Sequence, residues 1–262
     1  MKKFTGILII LWAMVHMPAC AQDMDNEREW EPEDTEFYEP VPPVVEAEGG
    51  FMDPPSDAII LFDGSDFSAW QSANGDEVDW MLDEGEMTVM PGSGNIVTRD
   101  GFGSIQLYLE WKTPTEIDGD GQGRGNSGVF LQRRYEVQVL DSYENETYVN
   151  GMAGSIYKQY APLVNAARPP GEWQTYNIIY EAPEFDDNDE LVSPAYLTVF
   201  WNGVMIHNRT EVKGDTEYIG PADYSVHGND GIMLQDHGDL VSFRNIWVRE
   251  LDESPVWGHE GF

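Results

Sequence analysis

From Asp57 onward the chain reads as short apolar runs cut by Gly, Asn and Asp turns. Alternation of apolar and polar residues marks a half-buried strand, because successive side chains point to opposite faces. Ala58 to Phe62 predicts a strand ended by Asp63-Gly64-Ser65. Val78 to Met90 predicts a hairpin turning at Asp83-Glu84-Gly85, and Ser104 to Lys112 (SIQLYLEWK) alternates cleanly. Gly125 to Asp141 (GNSGVFLQRRYEVQVLD) holds two strands, and Glu172 to Tyr180 one more. Tyr196 to His207 predicts a hairpin around Asn202-Gly203, a type I′ signal. Gly231 to Gln235 and Leu240 to Leu251 complete the set. Only Gly154 to Val164 could hold a short helix, and Pro162 weakens it. Many short strands joined by Gly/Asn/Asp turns predict an all-β sandwich. No self-similarity with a period of about 20–50 residues supports a propeller or solenoid.

The strand YEVQV presents chemistry. Glu136 and Gln138 share one face, with Val137 and Val139 on the other. Simple alternation puts Asp141 on the valine face, whereas a bulge after Gln138 would return it to the face of Glu136. An ordinary exposed strand face would carry the same residues. Further candidates are Asn126 and Ser127 between two glycines, Lys158 in the apolar SIYKQYAP, and Arg168 ahead of Pro169-Pro170-Gly171. Gln235 and His237 share one face of a strand in LQDHG. Plainer accounts exist for two of these: a surface turn histidine for His237 and a solvated loop lysine for Lys158. The stretch DGDGQGRGNSG lacks EF-hand spacing and reads as a mobile loop on the active face. The histidines form neither an H-E-x-x-H pattern nor a close pair, and Cys20 is the only thiol, so zinc is not signalled. A divalent cation held by carboxylates and carbonyls stays open, because such sites have no fixed spacing. No G-x-S-x-G elbow points to a serine nucleophile.

Length and charge narrow the picture. At 262 residues the chain has room for one sizeable core, or at most two small ones. Its 48 acids against 14 bases give a formal charge of -34, which argues against nucleic acid or anionic membrane surfaces as partners. Such a surface suits a polar, neutral or cationic ligand, and salt screens its self-repulsion. Residues 1–21 read as a secretory signal peptide, with two lysines before an apolar run too short to span a membrane. Cleavage after Ala21 would release Gln22. Alternatively Cys20 would carry a lipid anchor, but Met17-Pro18 is a poor lipobox. Export to the periplasm or cell envelope is expected, with no disulfide in the mature protein. Residues 22–55, rich in acids and prolines, predict a disordered linker that buries little. The domain is expected over 56–251, followed by a loose tail over 252–262.

The segments GNSGVFLQ, YEVQVLDS, GSIYKQYAPLVNA, RPPGEWQTYNIIYEAP, the NGV hairpin and LQDHG..VSFRNIWV closely resemble the 3-keto-disaccharide hydrolase domain family. They run in order across about residues 57 to 250. The resemblance implies a concanavalin A-like jelly-roll β-sandwich: two curved antiparallel sheets, with a carbohydrate cleft on the concave one. It also implies an exported enzyme that cleaves sugars oxidised at C3, as a hydrolase or a lyase. Ala167 departs from many relatives, which carry a cysteine there. Laminarinase-type glucanases of the same superfold carry acid-x-acid-x-x-acid on a bulged strand. Here Glu136-x-Gln138-x-x-Asp141 replaces the middle acid by an amide, which weakens a double displacement needing two carboxylates about 5 Å apart.

A 3-keto sugar offers another route. The ketone acidifies the C2 hydrogen, a base removes it, and the enolate expels the group at C1; water can later add to the enone. The resemblance then implies Glu136 or His237 as base or acid, with Asp141 in the catalytic set. Lys158, Gln138 or a divalent cation would stabilise the enolate. Tyr135, Tyr157 and Trp173 would form a stacking platform, with Asn126 and Gln235 also on the substrate. The rival classes are a non-catalytic carbohydrate-binding, lectin-like module and an adhesion or scaffold domain. A pure binder has no use for the titratable trio Glu136, Lys158 and His237, which favours an enzyme.

Overall fold

A computed structural model describes residues 41–47, 49, 50 and 52–251, together with 31, 36 and 38. The expected signal peptide (1–21), much of the expected linker, and the tail (252–262) lie outside the described residues. The chain divides into Met1–Val41 with Gly258–Phe262, and a unit Pro42–Trp257 that contains the sandwich.

Strands follow in the order β1 (Ile59–Phe62), β2 (Trp70–Ser72), β3 (Met81–Asp83), β4 (Glu86–Thr88), β5 (Ile96–Thr98), β6 (Ile105–Lys112), β7 (Ser127–Leu131) and β8 (Tyr135–Val139). After these come β9 (Gln174–Glu181), β10 (Glu184–Phe185), β11 (Leu191–Ser193), β12 (Tyr196–Trp201), β13 (Val204–Glu211), β14 (Met233–Leu234) and β15 (Ser242–Glu250). An eight-stranded antiparallel sheet runs β13-β12-β9-β6-β15-β4-β3, with β1 also on β15. A five-stranded sheet runs β2-β5-β14-β7-β8. The molecule is thus the all-β, jelly-roll type of sandwich that the alternation and the resemblance predict.

Alternation explains the core. Ile105, Leu107, Leu109 and Trp111 of β6 face inward, and Val129, Leu131, Val137 and Val139 face them from β7 and β8. Trp111 stacks on Trp201 at 6.3 Å and meets Tyr176 at 5.3 Å. The β12–β13 hairpin turns at Asn202-Gly203, both with positive φ (51° and 79°), as a type I′ turn requires. Gly154 to Val164 is not helical. Ile156 instead bridges Val137 and Tyr160, so the segment runs along the outer edge of β8. The strand expected over Gly231–Gln235 shortens to β14, and β2, β5, β10 and β11 are pairings without a sequence signal of their own.

The last residues of the expected linker do not hang free. Tyr108 and Glu110 lie on the outer face of β6 yet are buried. Tyr108 stacks on Trp247 at 5.4 Å. The Met52 carbonyl accepts from Trp247 Nε1 at 3.3 Å and Asn245 Nδ2 at 3.2 Å. Arg249 pairs with Asp57 at 2.7 Å, and Glu46 exchanges hydrogen bonds with Ser56. A chain beginning at Asp57 should therefore melt about 3–8 °C below one beginning at Glu46, through lost hydrogen bonds and cover. Equal melting temperatures in a calorimetric scan would show that this segment contributes nothing.

Candidate active site

β8 is an edge strand, and its free backbone groups are met by loops. On one side it pairs with β7, with Gly128 opposite Gln138 and Phe130 opposite Glu136. On the other, the Gln138 N–H donates to the Ser155 carbonyl at 3.0 Å and the Tyr157 N–H to the Glu136 carbonyl at 3.1 Å. The Glu136 N–H donates to Thr216 Oγ1 at 3.0 Å. Tyr176, from the facing sheet, donates its hydroxyl to the Gln138 carbonyl at 2.7 Å. This fixes which way Glu136 and Gln138 point: away from the valine core, into a cavity of about 270 Å³. Phe130, Tyr157 and Tyr218 supply its aromatic wall. Asn126, Thr216, Gln235 and His237 supply polar groups.

Glu136 is 4% exposed. Among the described residues nothing hydrogen-bonds or ion-pairs its carboxyl, so burial alone pushes its pKa up from 4.5 to about 8. The carboxyl lies over Gly128, where a Cβ would stand 2.6 Å from Glu136 Oε1 and 2.8 Å from Phe130 Cε2. A side chain at 128 would collide with the acid, which gives this glycine a steric role.

Gln138 is oriented by its neighbours. Its Nε2 donates to Gln122 Oε1 at 3.2 Å and to the Gly151 carbonyl at 3.3 Å. Gln122 Nε2 in turn donates to Thr147 Oγ1 at 2.9 Å and the Gly151 carbonyl at 2.8 Å. The acceptor Gln138 Oε1 is left buried and unpartnered, on a side chain that lines the cavity. A buried lone acceptor is costly unless a ligand supplies a donor, such as a sugar hydroxyl. With both amide hydrogens engaged, Gln138 does not fit the role of enolate stabiliser.

Other predicted residues separate into groups. Asn126, Tyr157, Gln235 and His237 meet Glu136 and Gln138 at the one cavity. Gln235 and His237 lie just beyond β14, not within a strand. Ser127 donates to the Gln235 carbonyl at 2.6 Å and holds that segment in place. Lys158 lies in an adjoining lobe, which it shares with Tyr157, Tyr218 and His237, and does not line the Glu136 cavity. Asp141 does not rejoin the face of Glu136: β8 ends at Val139, and the Asp141 carboxylate pairs with Arg124 Nε at 2.7 Å beside a different cavity. Tyr135 belongs to the valine face, fully buried against Tyr180 and Tyr224, with its hydroxyl on His227. Trp173 sits on the other sheet, between Lys112 at 4.5 Å and Arg244 at 4.1 Å. Arg168 donates to the Trp173 carbonyl there. The aromatic surface at the cavity is Tyr157 with Phe130 and Tyr218, while Tyr148 lines the adjoining lobe with Lys158. Among the described residues no group of three or more His, Cys, Asp or Glu could hold a metal ion.

Fold and family match together define a glycosyl hydrolase-like, carbohydrate-acting β-sandwich. The chain belongs to the 3-keto-alpha-glucoside-1,2-lyase-like domain family, whose model matches residues 57–249. It is 28% identical over 241 residues to a 3-keto-disaccharide hydrolase of Bacteroides thetaiotaomicron, covering 74% of this chain and 78% of that one. A crystal structure of a proposed glycosyl hydrolase from Parabacteroides distasonis is 50% identical, with a TM-score of 0.81 over 84% of this chain and 97% of the other. A second such structure from that organism, at 22% identity and TM-score 0.56 over 75% of this chain and 94% of the other, shares the fold.

Two outcomes test these placements. Asp141→Asn breaks a buried pair and should cost about 3–5 kcal/mol of stability, while activity per folded molecule is kept. Loss of activity without loss of stability would return Asp141 to the catalytic set. For Glu136 the folded pKa lies above the unfolded one. The stability tied to its protonated form is full below about pH 4.5 and falls as pH rises through about 8. Glu136→Gln lacks this loss, so its melting temperature relative to the parent should rise from about pH 5 to about pH 9. A difference independent of pH would show that the carboxyl ionises freely.

Proposed function

We propose that the protein cleaves the glycosidic bond of 3-keto-glycosides by removing the C2 proton and eliminating the group at C1, with or without later hydration. The observation that carries this reading is the lone buried carboxyl. Among the described residues Glu136 is the one acid lining the cavity, and Asp141 is engaged by Arg124. Ordinary retaining and inverting glycosidases need two carboxylates across the bond, whereas elimination from a 3-keto sugar does not. With its pKa near 8, Glu136 is mainly protonated at neutral pH and serves as the acid for the departing glycosidic oxygen. His237, exposed at the cavity mouth, takes the C2 hydrogen. The Gln235 side chain hydrogen-bonds nothing among the described residues, so its amide is free to donate to the C3 oxygen as enolate charge develops. Gln138 Oε1 accepts from a ring hydroxyl. Export, as a released or Cys20-anchored protein, is proposed from the N-terminal pattern alone.

Turnover of a plain glucoside and of its 3-keto form, followed by mass spectrometry and NMR, tests the reaction. The 3-keto form should be cleaved and the plain form not, with solvent deuterium at C2 of recovered substrate or of the hydrated product. Glu136→Gln should lower the rate about 10²–10⁴-fold with binding largely kept. The parent's activity should fall as pH rises through about 8, a limb absent from the variant. Equal turnover of both glycosides would point to ordinary hydrolysis. Binding of both without any cleavage would point to a lectin-like module.

A further inference from the structure

Beyond Tyr157, which lines both, the Glu136 cavity adjoins a second one of about 200 Å³. Lys158 and Lys213 both line that second cavity. The other lysine among the described residues, Lys112, pairs with Glu86 at 2.8 Å. Lys158 and Lys213 have no carboxylate within 4.0 Å among the described residues. Arg99, Arg133 and Arg168 also lack an ion pair among the described residues, but these two are ammonium groups lining one cavity in a chain with 48 acids and 14 bases.

Tyrosine faces hold them instead. Lys158 Nζ lies 4.2 Å from the ring centre of Tyr148, 5.3 Å from Tyr218 and 5.8 Å from Tyr157. Lys213 Nζ lies 4.4 Å from the ring of Tyr160. A ring quadrupole attracts an ammonium but leaves its charge intact. Gln159 ties the two loops together: it accepts from the Lys213 N–H at 2.7 Å and donates to the Gly214 carbonyl at 2.9 Å. Lys158 itself adopts a φ of 63°, a left-handed backbone that a residue with a side chain keeps only where its surroundings hold it. Glu217 also lines this cavity; it is exposed and pairs with neither lysine. Among the described residues no arginine lines the cavity, so none presents there the planar fork suited to phosphate or sulfate.

We propose that this second cavity is a subsite for a carboxylate on the leaving-group side of the substrate, as on a uronic acid residue. The proposal rests on the Glu136 cavity being the place of cleavage. At long range the acidic surface repels an anion, but at physiological salt charges are screened beyond about 8 Å. Within that distance the lining carries two ammonium groups against the one carboxylate of Glu217, a balance that selects acidic over neutral leaving groups.

Calorimetric titration of the full chain with glucuronate and with glucose tests the subsite without requiring turnover. Glucuronate should bind measurably tighter than glucose, and added sodium chloride should weaken it. Lys213→Gln should weaken glucuronate about tenfold and leave glucose unchanged, while Glu217→Gln should tighten glucuronate. Glucuronate binding no tighter than glucose, or indifference to Lys213→Gln, would overturn the proposal. In a second arm, a 3-keto-glucosyl-glucuronate should show a lower KM than a 3-keto-glucosyl-glucose, with the advantage lost in Lys213→Gln at unchanged kcat. Turnover of neither substrate, with glucuronate binding intact, would retire the cleavage reading and leave the anion subsite standing.

Discussion

The two-sided hydrogen bonding of β8 is the constraint on which the site depends. Edge strands in sandwiches are ordinarily free along one side, and a free edge can twist or slip. Here β7 holds one side, while Ser155, Tyr157 and Thr216 hold the other. A slip of one residue would send Glu136 into the valine core and bring Val137 into the cavity. The Tyr176 hydroxyl on the Gln138 carbonyl adds a tie from the opposite sheet, so the register of β8 is also set across the core. Loops that close the edge also roof the cavity, which is how an acid on the outer face of a sheet comes to be buried.

Burial then does to Glu136 what no neighbouring charge does. The chain is crowded with carboxylates, yet among the described residues this one has no cation and no donor. Its neutral form is favoured by the absence of water and of partners. Asp141, five residues on, is equally buried but paired with Arg124. Two acids close in sequence therefore have different chemistry because one faces a guanidinium and the other faces Phe130 and Tyr157.

Much of this arrangement was legible in the sequence. Alternation in YEVQV placed Glu136 and Gln138 on one face correctly, because strand periodicity is enforced by the backbone itself. The same parity excludes Tyr135 from the site, a consequence of the pattern that the choice of stacking residues overlooked. Asp141 needed knowledge of where β8 stops, and strand ends depend on tertiary partners such as Arg124. Thr216 and Tyr218 come from a loop without periodicity, so nothing local marks them. Phe130 could have been found by pairing β7 with β8, but the connecting turn uses Gln132 and Arg133 at φ 48° and 60°, without the usual Asn-Gly or Asp-Gly. The buried Gln132 amide, bonded to the Phe102 carbonyl and the Tyr180 hydroxyl, holds that turn. Gly128 carried a signal that spacing could not reveal: its missing side chain makes room for a carboxyl from the next strand.

The segment ending at Met52 and Asp57 lies on the outer face of the eight-stranded sheet, whereas the cavity opens from the outer face of the five-stranded one. The core separates the two. The described residues among 46–57 are therefore seated on the sheet remote from Glu136. Pull on Glu46 would first load its hydrogen bonds to Ser56, and then the contacts of Met52 and Asp57 with β15. Force entering the sandwich from that side thus meets β15 before it can reach the strand that carries Glu136.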